Sequence, residues 1–196
     1  MYRRVLVFVT GLLLTASAAA QAGNWKIDPN HSAAQFAVRH MGVSTVRGAF
    51  TKVSGSAIYD PADPSKDSLE ATIEARSVDT RVEMRDNDLR SDHFFDAQKF
   101  PSITFKSTTI ESAGPNKLKM IGDLTIRGIT KRVELAVEGP SKPVNDGNGH
   151  LHMGVSAAAT IDRRDFGMSG YQGMVGDEVK LTIDAELVQS VAVGTR

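Results

Sequence analysis

Val179-Lys180-Leu181-Thr182-Ile183-Asp184-Ala185-Glu186-Leu187 alternates apolar and polar residues without a break, the two-residue period that sends successive side chains to opposite faces of a β-strand. Ala34, Phe36 and Val38 alternate in the same way with Ala33, Gln35, Ala37 and Arg39, and Leu69, Ala71, Ile73 and Ala75 with Glu70, Thr72, Glu74 and Arg76. The pattern recurs at Ile103 and Phe105, from Leu118 to Ile126, at Val133, Leu135 and Val137, and from Leu151 to Ile161. Counting Gly48 to Tyr59, this makes about eight strands, the number that closes a barrel wide enough for one small ligand. Turn residues separate them at Asp60-Pro61-Ala62-Asp63-Pro64, Ala113-Gly114-Pro115-Asn116, Arg127-Gly128 and Asn145-Asp146-Gly147-Asn148-Gly149. The expected fold is all-β with one short helix, an eight-stranded antiparallel barrel around an apolar interior. The period alone does not distinguish an interior filled by side chains from one that holds a ligand.

Thr80 to Asp92 breaks the alternation. It is rich in charge, lacks Gly and Pro, and spaces Val82, Met84 and Leu89 among Arg81, Glu83, Arg85, Asp86, Asp88 and Arg90. It reads as one helix, capped by Asp79 or Thr80 and followed by Phe94-Phe95 and Phe100-Pro101, so that it crosses or plugs one barrel end. Its alternating charges, Asp86 with Arg90 for instance, read as surface pairs or as one buried Arg and Asp pair closing that end.

The N-terminus reads Met1-Tyr2-Arg3-Arg4, an apolar run from Val5 to Leu14, then Ala16-Ser17-Ala18-Ala19-Ala20-Gln21-Ala22, the order of a cleavable signal peptide. The apolar run is half the ~20 residues a membrane-spanning helix needs. Residues 1–22 are therefore expected to be removed, after Ala20 or Ala22, leaving residues 23–196 as one exported, periplasmic domain with no integral membrane segment. Without Arg3 and Arg4 the net charge is −2, which argues against a nucleic-acid partner. The chain has no cysteine, so its stability must come from an ordinary core.

A search for chemistry returns little. No G-x-S-x-G, H-E-x-x-H, G-x-x-x-x-G-K or G-x-G-x-x-G occurs, and no catalytic residue is assigned. His150 and His152 share a strand face and could ligate a metal, but the reading adopted is a solvated strand end and no metal. His40 continues the inward parity of Ala34, Phe36 and Val38, either as a core histidine or facing a ligand. The Gly-rich, Met-bearing stretch from Arg164 to Gly176 is either a mouth adapting to an apolar chain or a hairpin folded back on the barrel.

These residues carry a resemblance. Trp25 to Ser32, Phe36 to Gly42, Val46 to Phe50 and Gly122 to Lys131, together with Ser77-Val78-Asp79-Thr80, Arg85 to Asp96 and Phe100-Pro101, resemble the YceI-like family of polyisoprenoid-binding periplasmic proteins. The family usually has His where Asp88 stands. The resemblance covers about Trp25 to Gln189 and implies a lipocalin-like eight-stranded barrel with an isoprenoid chain, such as a quinone tail, threaded inside, and no catalysis. It implies no cofactor beyond that lipid or quinone ligand. Residues expected to line the cavity are Phe36, Val38, Phe50, Leu89, Phe94, Phe95, Ile103, Phe105, Leu124, Ile126, Leu135, Met153 and Val155, with His40 and Arg85 toward the ligand's polar head. The alternatives are a stress-related periplasmic interaction protein with no physiological lipid, and an enzyme. A homodimer is compatible with any of these.

Overall fold

The computed structural model describes residues 23–190; the expected signal peptide, residues 1–22, lies outside the described residues. The strands are β1 (Gly23–Ile27), β2 (Ala33–His40), β3 (Ser44–Phe50), β4 (Val53–Tyr59), β5 (Ser68–Glu74) and β6 (Val78–Asp79), then helix α1 (Glu83–Arg90), then β7 (Ser102–Gly114), β8 (Lys117–Ile126), β9 (Ile129–Glu138), β10 (Val144–Asn145), β11 (His150–Asp162) and β12 (Val175–Ser190). The order β11-β9-β8-β7-β5-β4-β1-β12 is closed by pairing of β11 with β12, giving an eight-stranded antiparallel barrel as expected.

Its membership differs from the sequence reading. Gly48 to Tyr59 is two strands, because the chain turns a corner at Thr51-Lys52, where Thr51 N–H donates to the Ser77 carbonyl and Lys52 N–H to Ser77 Oγ. The corner shifts the buried parity from Phe50 to Val53. β1, not anticipated as a strand, takes the vacated place in the ring, with Trp25 and Ile27 buried between β4 and β12. β2 and β3 form a hairpin that continues the wall at one end. β2 pairs with β12 from Val179↔Val38 to Asp184↔Ala33, and β3 carries β6 on its far edge. A Cβ at Gly48 would collide with the Phe36 ring and Thr80, so glycine here is what allows the ring to lie across β3.

The helix is shorter than expected. Arg81 adopts a left-handed conformation, φ 65°, so the helical path cannot start at Thr80 and begins at Glu83 without a side-chain cap. Asp86 does not pair with Arg90. It is buried and accepts hydrogen bonds from Thr80 N–H at 2.8 Å and Thr80 Oγ1 at 2.5 Å, while Arg90 donates to the Arg76 and Val78 carbonyls. Asp92, at the end of the charged stretch, is exposed.

The buried cation is Arg163, which the sequence reading passed over. It is 2% exposed and donates to the carbonyls of Met168 (2.7 Å), Gly170 (2.8 Å), Gly176 (2.9 Å) and Val175 (3.0 Å), with Asp177 at 3.2 Å. These contacts fix the whole 168–176 loop, which has little backbone pairing of its own. Replacing Arg163 by Ala leaves several buried carbonyls unpaired, an expected loss of about 3–5 kcal/mol. Chemical denaturation checks this; a midpoint unchanged from wild type would show that the loop holds itself.

Candidate ligand-binding site

Inward positions of the barrel converge on one cavity of about 460 Å³ whose walls are almost wholly apolar. On β12 its lining runs from Val175 through Val179, Leu181 and Ile183 to Leu187. At ~3.3 Å per residue and a tilt of 35–45° that is roughly 30 Å along the barrel axis. The cavity is a long slot rather than a round hole.

All the expected lining residues face it: Phe36, Val38 and His40 from β2, Phe50 from β3, Arg85 and Leu89 from α1, Phe94 and Phe95 after it, Ile103 and Phe105 from β7, Leu124 and Ile126 from β8, Leu135 from β9, Met153 and Val155 from β11. At the helix end Phe50 meets Phe95 edge-on, ring centroids 5.3 Å apart, so α1 and the residues after it close much of this end. Arg85 is committed locally, its Nε donating to Thr80 Oγ1 (2.8 Å) and its Nη2 to the Thr80 carbonyl (3.0 Å). The 164–176 stretch unites both readings offered for it. Phe166 and Met168 fold into the core, and Tyr171 and Met174 reach the cavity while half exposed.

The opposite end was not anticipated. Tyr59, Asp67 and Ser68 line the cavity there. Asp67 accepts a hydrogen bond from Asp60 N–H at 2.7 Å, yet burial pushes its carboxyl up to about 6, reinforced by the charges of Asp60 and Asp63. Burial also raises the Tyr59 hydroxyl. The sequence showed Asp67 as one more acid after a Pro-rich turn, with no period to place it. Because the folded state holds the Asp67 proton more tightly than the unfolded chain, its contribution to stability is full below the ordinary carboxylate range near 4 and is lost as pH rises through about 6. Asp67→Asn should therefore flatten the melting temperature between pH 4 and 7 and raise it by a few degrees above pH 7. A wild-type profile already flat over that range would contradict the assignment.

His150 and His152 are not a solvated strand end. His152 Nδ1 lies 2.7 Å from Glu186, and Asp146 lies 3.2 Å from His150 and 3.5 Å from His152. Glu186 is in turn 4.0 Å from His31, which pairs with Asp28 at 2.9 Å. The Glu186 hydrogen bond raises the His152 imidazole and the Asp28 hydrogen bond raises that of His31. Asp28, His31 and Glu186 could together hold a metal ion, but Asp28 and His31 lie in the turn between β1 and β2 and Glu186 on β12, apart from the cavity lining.

The YceI-like domain model matches residues 25–187. The chain belongs to the YceI-like family. Protein YceI of Salmonella arizonae is 35% identical over 194 residues, covering 96% of this chain and 99% of that one. Among solved structures, BcnA of Burkholderia cenocepacia superposes with TM-score 0.73 at 27% identity, over 84% of this chain and 99% of that one. A polyisoprenoid binding domain from Saccharophagus degradans superposes with TM-score 0.61 at 13% identity, over 83% of this chain and 97% of that one, a likeness of fold. No helix among the described residues is long and apolar enough to cross a membrane.

Proposed function

We propose that this YceI-like protein is a periplasmic carrier, exported by its N-terminal signal peptide, that holds the isoprenoid chain of a quinone or polyprenyl lipid along the barrel axis and catalyses no reaction. The observation that carries the reading is the continuous apolar slot of about 460 Å³. Left unfilled, a slot of that size deprives its wall side chains of packing contacts on their inner side. An apolar chain lying in the slot restores those contacts and leaves water at about 25 cal/mol per Å² buried. A slot this long and narrow suits an extended chain better than a compact ring system. The polyisoprenoid-binding neighbour of similar fold agrees with that ligand class. At the helix end His40 and the part of Arg85 not engaged by Thr80 are among the polar groups available to a head group, with Asp88 and Tyr171 beside them.

Ala34 tests the reading. It is buried, lines the cavity and opposes Ile183 on β12 and Phe50 on β3. Ala34→Phe adds apolar bulk without charge and should at least halve the prenyl lipid extracted per protein, measured by mass spectrometry, while the barrel still melts cooperatively. A wild-type protein that leaves its host without lipid, with Ala34→Phe merely less stable by about 1–3 kcal/mol, would replace the carrier by a packed-barrel interaction protein. Export has its own check: protein recovered from the periplasm should begin at Gln21 or Gly23, and an intact Met1 would refute processing.

A further inference from the structure

Where the slot meets the surface at the helix end, two loops present apolar side chains to solvent. At the tip of the β2–β3 hairpin Val43 is 81% exposed and Met41 58%. In the 166–176 loop Tyr171 and Met174 are each half exposed and also line the cavity. The loops touch, since Met41 N–H donates to the Met174 carbonyl at 2.6 Å. They therefore make one patch continuous with the opening. An isolated exposed apolar residue needs no explanation, but four on adjoining loops do.

Charge selects what covers the patch. From Ser32 to Tyr59 the chain contains no Asp or Glu, while Arg39, Arg47 and Lys52 are basic; residues 166–176 carry no charge. The Arg39 guanidinium spans the hairpin, donating to Thr45 Oγ1 at 2.9 Å and to the Gly42 carbonyl at 2.5 Å. Arg47 stands on the same face of the hairpin, two pairs further from the tip. The two loops are thus apolar at their apex and basic behind it, with acids absent from both; the acid beside them is Asp88 of α1, 3.5 Å from the Tyr171 hydroxyl. That combination suits a bilayer surface, where apolar side chains enter the acyl boundary and arginines meet anionic head groups.

We propose that the hairpin tip and the 166–176 loop form a docking surface for a membrane bearing anionic lipid, seating the open end of the slot against the bilayer so that a chain passes between them without crossing water. This rests on the carrier reading for its purpose, not for its geometry.

The test is flotation of the exported protein with vesicles of phosphatidylcholine alone and of phosphatidylcholine mixed with phosphatidylglycerol. Lipid extracted from each sample is measured in parallel. Wild type should float with the anionic vesicles, less so at high salt. Arg47→Gln should weaken partitioning about fivefold, the factor that about 1 kcal/mol per arginine represents. Val43→Asp should abolish it while leaving the melting temperature unchanged, since Val43 is exposed and does not line the slot. Wild type that stays with the unbound fraction on both vesicles, or Val43→Asp that floats like wild type, would overturn the docking surface. So would a dimer in sedimentation that depends on Val43 without any flotation. Protein that floats but carries no prenyl lipid would overturn the carrier reading and leave docking standing; loaded protein that never floats does the reverse.

Discussion

Closure of the sheet by β11 and β12 is the constraint on which the molecule depends. Their register runs unbroken from His150↔Ser190 to Asp162↔Glu178, and it brings Met153 opposite Leu187, Val155 opposite Ala185 and Ile161 opposite Val179. Every one of these faces inward. A slip of β12 by one residue would turn its inner row to solvent and bring Lys180, Thr182 and Glu186 into the slot. Outside the ring the same ladder is tied by side chains, Ser156 to Asp184 at 2.7 Å and His152 to Glu186 at 2.7 Å. β12 also outlasts β1 and accepts β2 along its free length, so one strand sets the register of barrel and hairpin together.

Given that register, the slot follows from residue size. An eight-stranded barrel is just narrow enough for its side chains to fill, and this one is not filled because alanines occupy inward positions on several strands: Ala34 on β2, Ala57 on β4, Ala71 on β5, Ala157 on β11 and Ala185 on β12 all line the cavity. Larger groups then close the ends, Phe36, Phe50, Phe94 and Phe95 toward the helix, and Ile110, Met120, Leu135 and Val137 as a separate cluster away from it. Alternating two-residue periods therefore encode the wall, and the size of the inward residue encodes the bore.

The wall was largely legible because burial on one side forces the period: eleven of the fifteen expected cavity positions lie on strands, where inward parity marks them, and the other four belong to the helix and the aromatic pair after it. What escaped has local causes. β7 looked like a two-residue fragment because a bulge between Ser107 and Thr109 moves the inward parity from Ile103 and Phe105 to Ile110. The Thr51-Lys52 corner hid the boundary between β3 and β4 in the same way. Arg163 left no trace because its partners are backbone carbonyls, which any residue can supply. Asp146, Glu186 and His152 meet only through the pairing of β11 with β12 and the turn from β10, so no local spacing announces them.

The two ends of the slot are chemically unlike, and this gives the barrel a direction. The helix end opens between an acid-free hairpin and an uncharged loop, with His40, Arg85 and Asp88 just inside, the last paired with His93 at 2.8 Å. At the far end Asp67 and Tyr59 meet the slot, and the cost of burying its charge pushes the Asp67 carboxyl up to about 6. In the carrier reading a chain that enters hydrocarbon first from the helix end keeps its polar head beside His40 and Arg85 and gains burial at each step. Entering from the other end, the leading methyl groups must first displace water from a carboxyl that already lacks enough of it. The apolar gain per residue of wall is similar from either side, so the difference lies in the polar groups passed. That difference, rather than the shape of the bore, makes the membrane-facing rim the end at which loading and release belong.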